Sequence, residues 1–224
     1  MSYYGCEYCS KKYTSKKIFD KHECEEKRRH DHLKTPAGLV AFGMYGKWLT
    51  ERGFINRGKL QFSESRYYVS FVIFSNFVKQ MALPGIDFFI AYMVELDVAP
   101  KDWSSNLVYD HYMEEFDRLV PPKVQASITV DTVFELANIF ECEPDDVFLH
   151  LEANTLIKIV QAKKMSPWLL LFSPKFKEFV QGVMNLEQRV LLQQYVRADH
   201  WDAIFNVHPV EVDAMKVCVR ALGI

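Results

Sequence analysis

The sequence predicts a mainly α protein, in which a multi-helix globular body follows a small cysteine-bearing module at the N-terminus. Three observations lead there. Beyond residue 35, apolar side chains recur every three or four positions, the period of a helix with one buried face. Helix-start signals, in which Ser, Thr, Asp or Asn precedes Pro or an apolar run, punctuate the chain at intervals. Strand-like alternation is weak outside the first 15 residues. Composition agrees with a packed core: of 224 residues 49% are apolar, and Gly and Pro number only 9 each, too few for a loop-dominated or disordered chain.

The elements follow in order. Residues 1–34 form the cysteine-bearing module and a basic linker, with the boundary near Thr35, and residues 35–224 form the helical domain. Thr35-Pro36 supplies an N-cap and a first-turn proline for a helix that runs to about Arg52 and stops at Gly53. Ser63 or Ser65 opens a second helix, which carries Tyr67, Phe71, Phe74 and Val78 and ends at Pro84-Gly85. Asp87 caps a short third, "FFIAYMVEL", and a fourth spans roughly Trp103 to Leu119 before Pro121-Pro122. A subdivision of the domain belongs near 121–129. Helices at about 130–140 and 145–163 come next, and Ser166-Pro167 and Ser173-Pro174 each begin another. Asn185 and Pro209 start the last two long segments, with Gly223 at a C-cap position. The aromatic stripe formed by Tyr67, Phe71, Phe74 and Phe77, with Trp103, Tyr109, Tyr112 and Phe116, is expected to be core rather than a base-stacking platform.

Charge is distributed unevenly behind a net value of −2. Residues 1–86 hold 15 Lys/Arg against 8 Asp/Glu, residues 87–152 hold 3 against 15, and residues 153–224 hold 9 against 6. A basic start and an acidic middle suggest two surfaces with different partners: nucleic acid for the first, a protein for the second. The start "MSYYGCEYC" lacks an apolar leader, and no apolar run is long enough for a membrane span. An intracellular protein with no membrane partner is therefore expected.

Five cysteines are an odd number, and three of them fall within residues 6–24, while Cys142 and Cys218 stand alone. That pattern fits reduced thiols and a metal site better than a disulfide framework. Two residues separate Cys6 from Cys9, and twelve more separate Cys9 from His22. Tyr13 lies four residues after Cys9, and Phe19 lies three before His22. From Cys6 to His22 the stretch resembles a two-cysteine, two-histidine zinc finger. The resemblance implies a hairpin carrying Cys6 and Cys9, a helix carrying His22, core positions for Tyr13 and Phe19, and a bound zinc ion. The pattern then departs from the family, because Glu26, Lys27 and Arg28 occupy the positions of the last ligand. On one unbroken helix His22 and Cys24 would point about 200° apart, and His30 would lie about 12 Å further along. An early helix stop brings Cys24 back as the fourth ligand. His30 is the alternative and His32 a third choice.

By the same resemblance the base-reading positions fall on Ser15, Ile18 and Lys21, and Ile18 is a poor reader of base edges. Lys11, Lys12, Lys16, Lys17 and Lys21, followed by Lys27, Arg28 and Arg29, suit sequence-independent contact with phosphates. A zinc-stapled cap docked on the body or on a partner is the competing expectation. Residues 129–152 resemble a helix-turn-helix through Leu136, Ala137, Phe140, Cys142 and Val147, although Glu141 stands at the usual Gly turn and His150 at an apolar position. Asp145, Asp146 and Glu152 on its second helix repel phosphates, so a basic protein surface is the expected partner there. No phosphate loop, nucleophile elbow or metalloprotease motif occurs. The expectation is therefore a zinc-containing accessory protein, not an enzyme, that assists transcription, replication or packaging. Its short finger-plus-helices build is in the style of viral or phage proteins, which would place it in the host cytoplasm or the nucleus. The alternative is a protein–protein adaptor or structural component stapled by zinc.

Overall fold

The computed structural model describes residues 3–55, 58–196 and 198–221, so Gly223 lies outside the described residues. Its only sheet among them is a minimal hairpin, in which β1 (Tyr4–Gly5) pairs antiparallel with β2 (Lys12–Tyr13). The remaining regular structure is helical, as the apolar periodicity predicts. The chain divides into two compact units, Met1–Tyr112 and Met113–Ile224, and the division falls inside one helix.

The first unit contains the hairpin, α1 (Lys16–Asp20), α2 (Glu25–His32), α3 (Pro36–Glu51), α4 (Lys59–Glu64), α5 (Tyr68–Met81) and α6 (Ile86–Glu95), then a 3-10 turn at Pro100–Asp102 and the start of α7 (Asn106–Leu119). Thr35 caps α3 by accepting from the Gly38 N–H at 3.1 Å, and Gly53 leaves the helix at φ 74°. The run expected to start at Ser63 or Ser65 is instead two helices, α4 and α5. Ser65 sits between them with extended backbone, and its Oγ accepts from the Tyr67 N–H at 3.1 Å.

Helices α3, α5 and α6 close on a core of aromatic rings. Trp103 is fully buried at its centre, edge-to-face with Phe71, Phe74 and Phe89 at 5.5, 5.2 and 5.8 Å. Each such ring pair adds about 0.5–1.5 kcal/mol beyond its area term. The Trp103 indole N–H is satisfied by the Val98 carbonyl at 2.9 Å. Tyr112 is buried as well, and so is Phe116 in the second unit, while Tyr67, Phe77 and Tyr109 are half-buried. Five of the eight aromatic residues of the stripe are thus core.

Helix α2 joins this unit from the cysteine-bearing end. Arg29 Nη1 donates to the Ser63 carbonyl at 3.2 Å, and its guanidinium lies 4.9 Å from the Tyr68 ring. His32 Nδ1 meets the Tyr68 hydroxyl at 2.8 Å. At the α2–α3 corner Gly38 is required by space. A Cβ there would collide with the His32 carbonyl oxygen and sit 2.9 Å from Leu33 Cα.

The second unit holds the rest of α7, α8 (Pro122–Phe140), a 3-10 turn at Pro144–Asp146, α9 (Val147–His150), α10 (Ala153–Gln161), α11 (Pro167–Leu170), α12 (Pro174–Gly182), α13 (Leu186–Gln193), α14 (Ala198–Val207) and α15 (Pro209–Ala221). Pro121-Pro122 is a start rather than only a stop. Pro122 occupies the first turn of a 19-residue helix, where its missing N–H costs nothing. The expected 145–163 helix breaks at Leu151, whose ψ of 136° is extended. The second helix of the helix-turn-helix-like stretch is therefore a single turn, too short to span a groove. Its turn residue Glu141 does adopt the left-handed conformation, at φ 54°.

Val133, Leu136, Leu156, Val160, Met165 and Trp168 anchor this unit's core. Two of its buried polar side chains, Gln125 and Thr129, are paired, whereas Ser166 Oγ is buried with no hydrogen-bond partner among the described residues. Gln125 accepts from the Trp168 indole at 3.3 Å and donates to the Val120 carbonyl at 2.8 Å, and Thr129 Oγ1 accepts from the Ser166 N–H at 3.0 Å. No helix among the described residues is long and apolar enough to cross a membrane.

Two substitutions test these placements in urea or thermal unfolding. Gly38→Ala should destabilise the protein by about 1–3 kcal/mol, because backbone rather than a flexible side chain must move. Glu141→Gly should stabilise it. Relief of roughly 1–2 kcal/mol of left-handed strain exceeds the roughly 0.5–1 kcal/mol entropic cost of glycine.

Candidate metal centre

The hairpin turn presents the first two cysteines. Cys6 N–H donates to the Lys11 carbonyl at 2.9 Å, which closes the turn, and Ser10 takes the left-handed conformation within it. Helix α1 stops at Asp20, so His22 lies just past its end rather than on it, and the His22 N–H donates to Phe19 O at 2.9 Å. The chain then leaves the helical path, and Cys24, with extended backbone, becomes the N-cap of α2. Its sulfur accepts from the Lys27 N–H at 3.4 Å.

This path gathers Cys6, Cys9, His22 and Cys24, whose ligand atoms all lie within 4.8 Å of one another. Cys6 Sγ and Cys24 Sγ are 3.9 Å apart, and Cys9 Sγ and His22 Nε2 are 3.2 Å apart. Metal–sulfur bonds of about 2.3 Å and metal–nitrogen bonds of about 2.0–2.1 Å in a tetrahedron require edges of about 3.8 and 3.6 Å. These two pairs already meet those edges to within about 0.4 Å, and side-chain adjustments of about an ångström close the others. Three soft sulfurs and one imidazole are a donor set suited to a metal such as zinc.

The electrostatics of the two buried cysteines are opposed. The Cys9 backbone N–H, aided by that of Tyr8, is directed at the Cys6 sulfur and holds its thiol down at about 6. Burial pushes the Cys24 thiol up to about 11, with the Lys27 N–H offsetting only part of the rise. Near neutral pH, therefore, Cys6 is a thiolate and Cys24 keeps its proton until a cation replaces it.

The imidazole is oriented from behind. His22 Nδ1 is 2.7 Å from the Tyr13 hydroxyl, and the two rings are 4.9 Å apart. A proton on Nδ1 donates to Tyr13 Oη and leaves the Nε2 lone pair facing the three sulfurs. Phe19 packs against Tyr13 at 6.1 Å and Tyr4 at 5.9 Å. His30 is not part of the cluster; its ring packs on Tyr8 at 4.9 Å, while His32 is held by Tyr68. The Tyr13 hydroxyl contact was not foreseeable from a core-aromatic position. The Cys24 cap had a signal, since Cys-Glu-Glu places two carboxylates in a first helical turn.

Of the side chains expected at phosphates, Lys11, Lys12, Lys16, Lys17, Lys21 and Arg28 are exposed, and Lys27 is half-buried. Arg29 points the other way, paired with Glu25 and held by Ser63 and Tyr68. Ser15 sits at the N-cap position of α1 without a side-chain cap bond, and Ile18 is exposed to 59%. In the second unit, Lys163 is bound to Asp117 at 2.7 Å and Lys175 to the Asp145 carbonyl at 2.6 Å. Trp168 is buried.

Two measurements probe the centre. Tyr13→Phe should weaken metal binding about tenfold in a chelator competition while leaving far-ultraviolet circular dichroism unchanged. Metal loading should expel the Cys24 proton, so affinity should climb with pH from neutrality towards about 11. Titration at several pH values in buffers of different ionisation enthalpy reads that proton directly.

Compared with known proteins, the chain matches no family model, no curated protein and no solved structure.

Proposed function

We propose that the protein is a zinc-containing accessory factor in a nucleic-acid transaction such as transcription, replication or packaging. The observation that carries this reading is the Cys6–Cys9–His22–Cys24 cluster flanked by exposed Lys11, Lys12, Lys16, Lys17 and Lys21. Three sulfurs and one nitrogen fill a tetrahedral zinc ion, so no position is left open for a substrate. The site on this reading is structural, and the protein binds rather than catalyses. The lysines grip phosphates without reading sequence, in keeping with the poor base-reading side chain of Ile18.

The acidic stretch supports a second contact, with a basic protein partner. It runs through both units, and most of its carboxylates, including Asp87, Asp97, Asp110, Asp131 and Glu135, are exposed. Asp117, Asp145 and Asp146 are already occupied by Lys163 and Lys175.

A stapled adaptor remains the second reading, favoured by one observation. Helix α2, capped by Cys24, is latched to α4 and α5 through Arg29 and His32. Salt-dependent binding separates the two. The intact, metal-loaded protein should retard a DNA or RNA probe at about 50 mM salt, with log affinity falling linearly in log salt. Lys16→Ala/Lys17→Ala/Lys21→Ala should flatten that slope by about 2–3 and leave metal content unchanged. No retardation at low salt would reject the nucleic-acid role and leave the adaptor.

A further inference from the structure

The first unit carries a second basic feature, away from the lysines of the hairpin and α1. A cleft of about 710 Å³ opens beside the C-terminal end of α3, lined among others by Trp48, Arg52, Gln61, Ser65, Arg66 and Tyr67. None of the described lining residues is acidic. Each arginine is held on an aromatic face: the Arg52 guanidinium lies 5.4 Å from the Trp48 ring, and that of Arg66 lies 4.8 Å from the Tyr67 ring. The two rings are themselves in edge contact at 4.7 Å, so one aromatic pair holds both cations.

Neither guanidinium takes part in an ion pair among the described residues. The nearby carboxylate of Glu51 is bound by Lys47 at 2.8 Å. Arg66 Nη2 donates to the Tyr67 hydroxyl at 2.5 Å, and the remaining in-plane N–H groups of a guanidinium held on a ring lose little freedom when they bind an anion in a two-pronged fashion. Ser65, Arg66 and Tyr67 form the turn that enters α5, a 14-residue helix, and its N-terminal partial charge adds to the positive potential there.

We propose that this cleft is a phosphate site, with Arg52 and Arg66 as its anion-binding residues. The shared chemistry is a phosphate ester, delivered either by a nucleic-acid strand or by a free nucleotide. Assignment of the strand as source rests on the nucleic-acid reading above; the phosphate site itself does not. A strand held at the cleft and at the lysines would be gripped at two places on one unit.

The test uses the full, metal-loaded chain and two probes, a labelled oligothymidylate of about twenty nucleotides and AMP. Arg52→Lys/Arg66→Lys keeps both charges but removes the two-pronged geometry. It should weaken binding of at least one probe about tenfold, with zinc content unchanged. Arg52→Ala/Arg66→Ala should weaken it further, and if that variant fails to fold the lysine pair still decides. AMP binding lost in the cleft variants, with no oligonucleotide binding at all, supports the site and removes the nucleic-acid role. Oligonucleotide binding that is lost only in Lys16→Ala/Lys17→Ala/Lys21→Ala, with AMP binding no weaker in the arginine variants, overturns the cleft and leaves that role standing. Wild-type affinity in both arginine variants, or no binding of either probe to the wild type, overturns the proposal.

Discussion

Cys24 does two jobs at once, and the N-terminal half of the first unit depends on both. Its sulfur belongs to the four-residue cluster, and the same sulfur accepts the Lys27 N–H as the cap of α2. A metal-ligand sulfur cannot lie on a helix continued from α1, so the chain must break at 21–24 and restart. The restart sets the direction of α2, whose far end places Arg29 and His32 against Ser63 and Tyr68. Gly38 then lets α3 pass over the His32 carbonyl without a Cβ in the way. A local coordination requirement is thereby passed through one eight-residue helix into the aromatic core.

The protonation states of the cluster follow from the same geometry. Cys6 is stabilised as a thiolate by backbone N–H groups of its own turn, whereas buried Cys24 holds its proton. The two buried thiols are thus pushed in opposite directions, Cys6 down by backbone N–H groups and Cys24 up by burial. A divalent ion supplies the charge that allows Cys24 to ionise. Metal binding at such a cluster would be coupled to proton release.

Much of the fold was legible because its signals are local. Thr35-Pro36, Gly53 and Ser173-Pro174 mark helix ends through one or two hydrogen bonds and a backbone angle, and those depend on neighbours in sequence. Pro121-Pro122 was ambiguous because the same residue type that stops one helix can begin the next. The 145–163 run kept helical apolar spacing across the break, so periodicity did not reveal the extended Leu151. At the site, spacing identified Cys6, Cys9 and His22, and helix geometry singled out Cys24 over His30. Direction was not legible. Arg29 belongs to the same basic run as Arg28, yet one turns into the unit and the other into solvent, and only tertiary contacts with Ser63 and Tyr68 decide which. The Tyr13 hydroxyl was hidden for a similar reason, since a core aromatic needs no hydroxyl and its contact with His22 appears only in three dimensions.

The claim on which the account turns is that Cys24 completes a zinc site with Cys6, Cys9 and His22. X-ray absorption at the zinc edge of the purified protein measures the ligand set directly. The account predicts one zinc per chain, with three sulfurs at about 2.3 Å and one nitrogen at about 2.0–2.1 Å. Two sulfurs with two light-atom ligands would contradict it and bring back a histidine as the fourth donor, and a protein fully folded with no bound metal would contradict the site altogether.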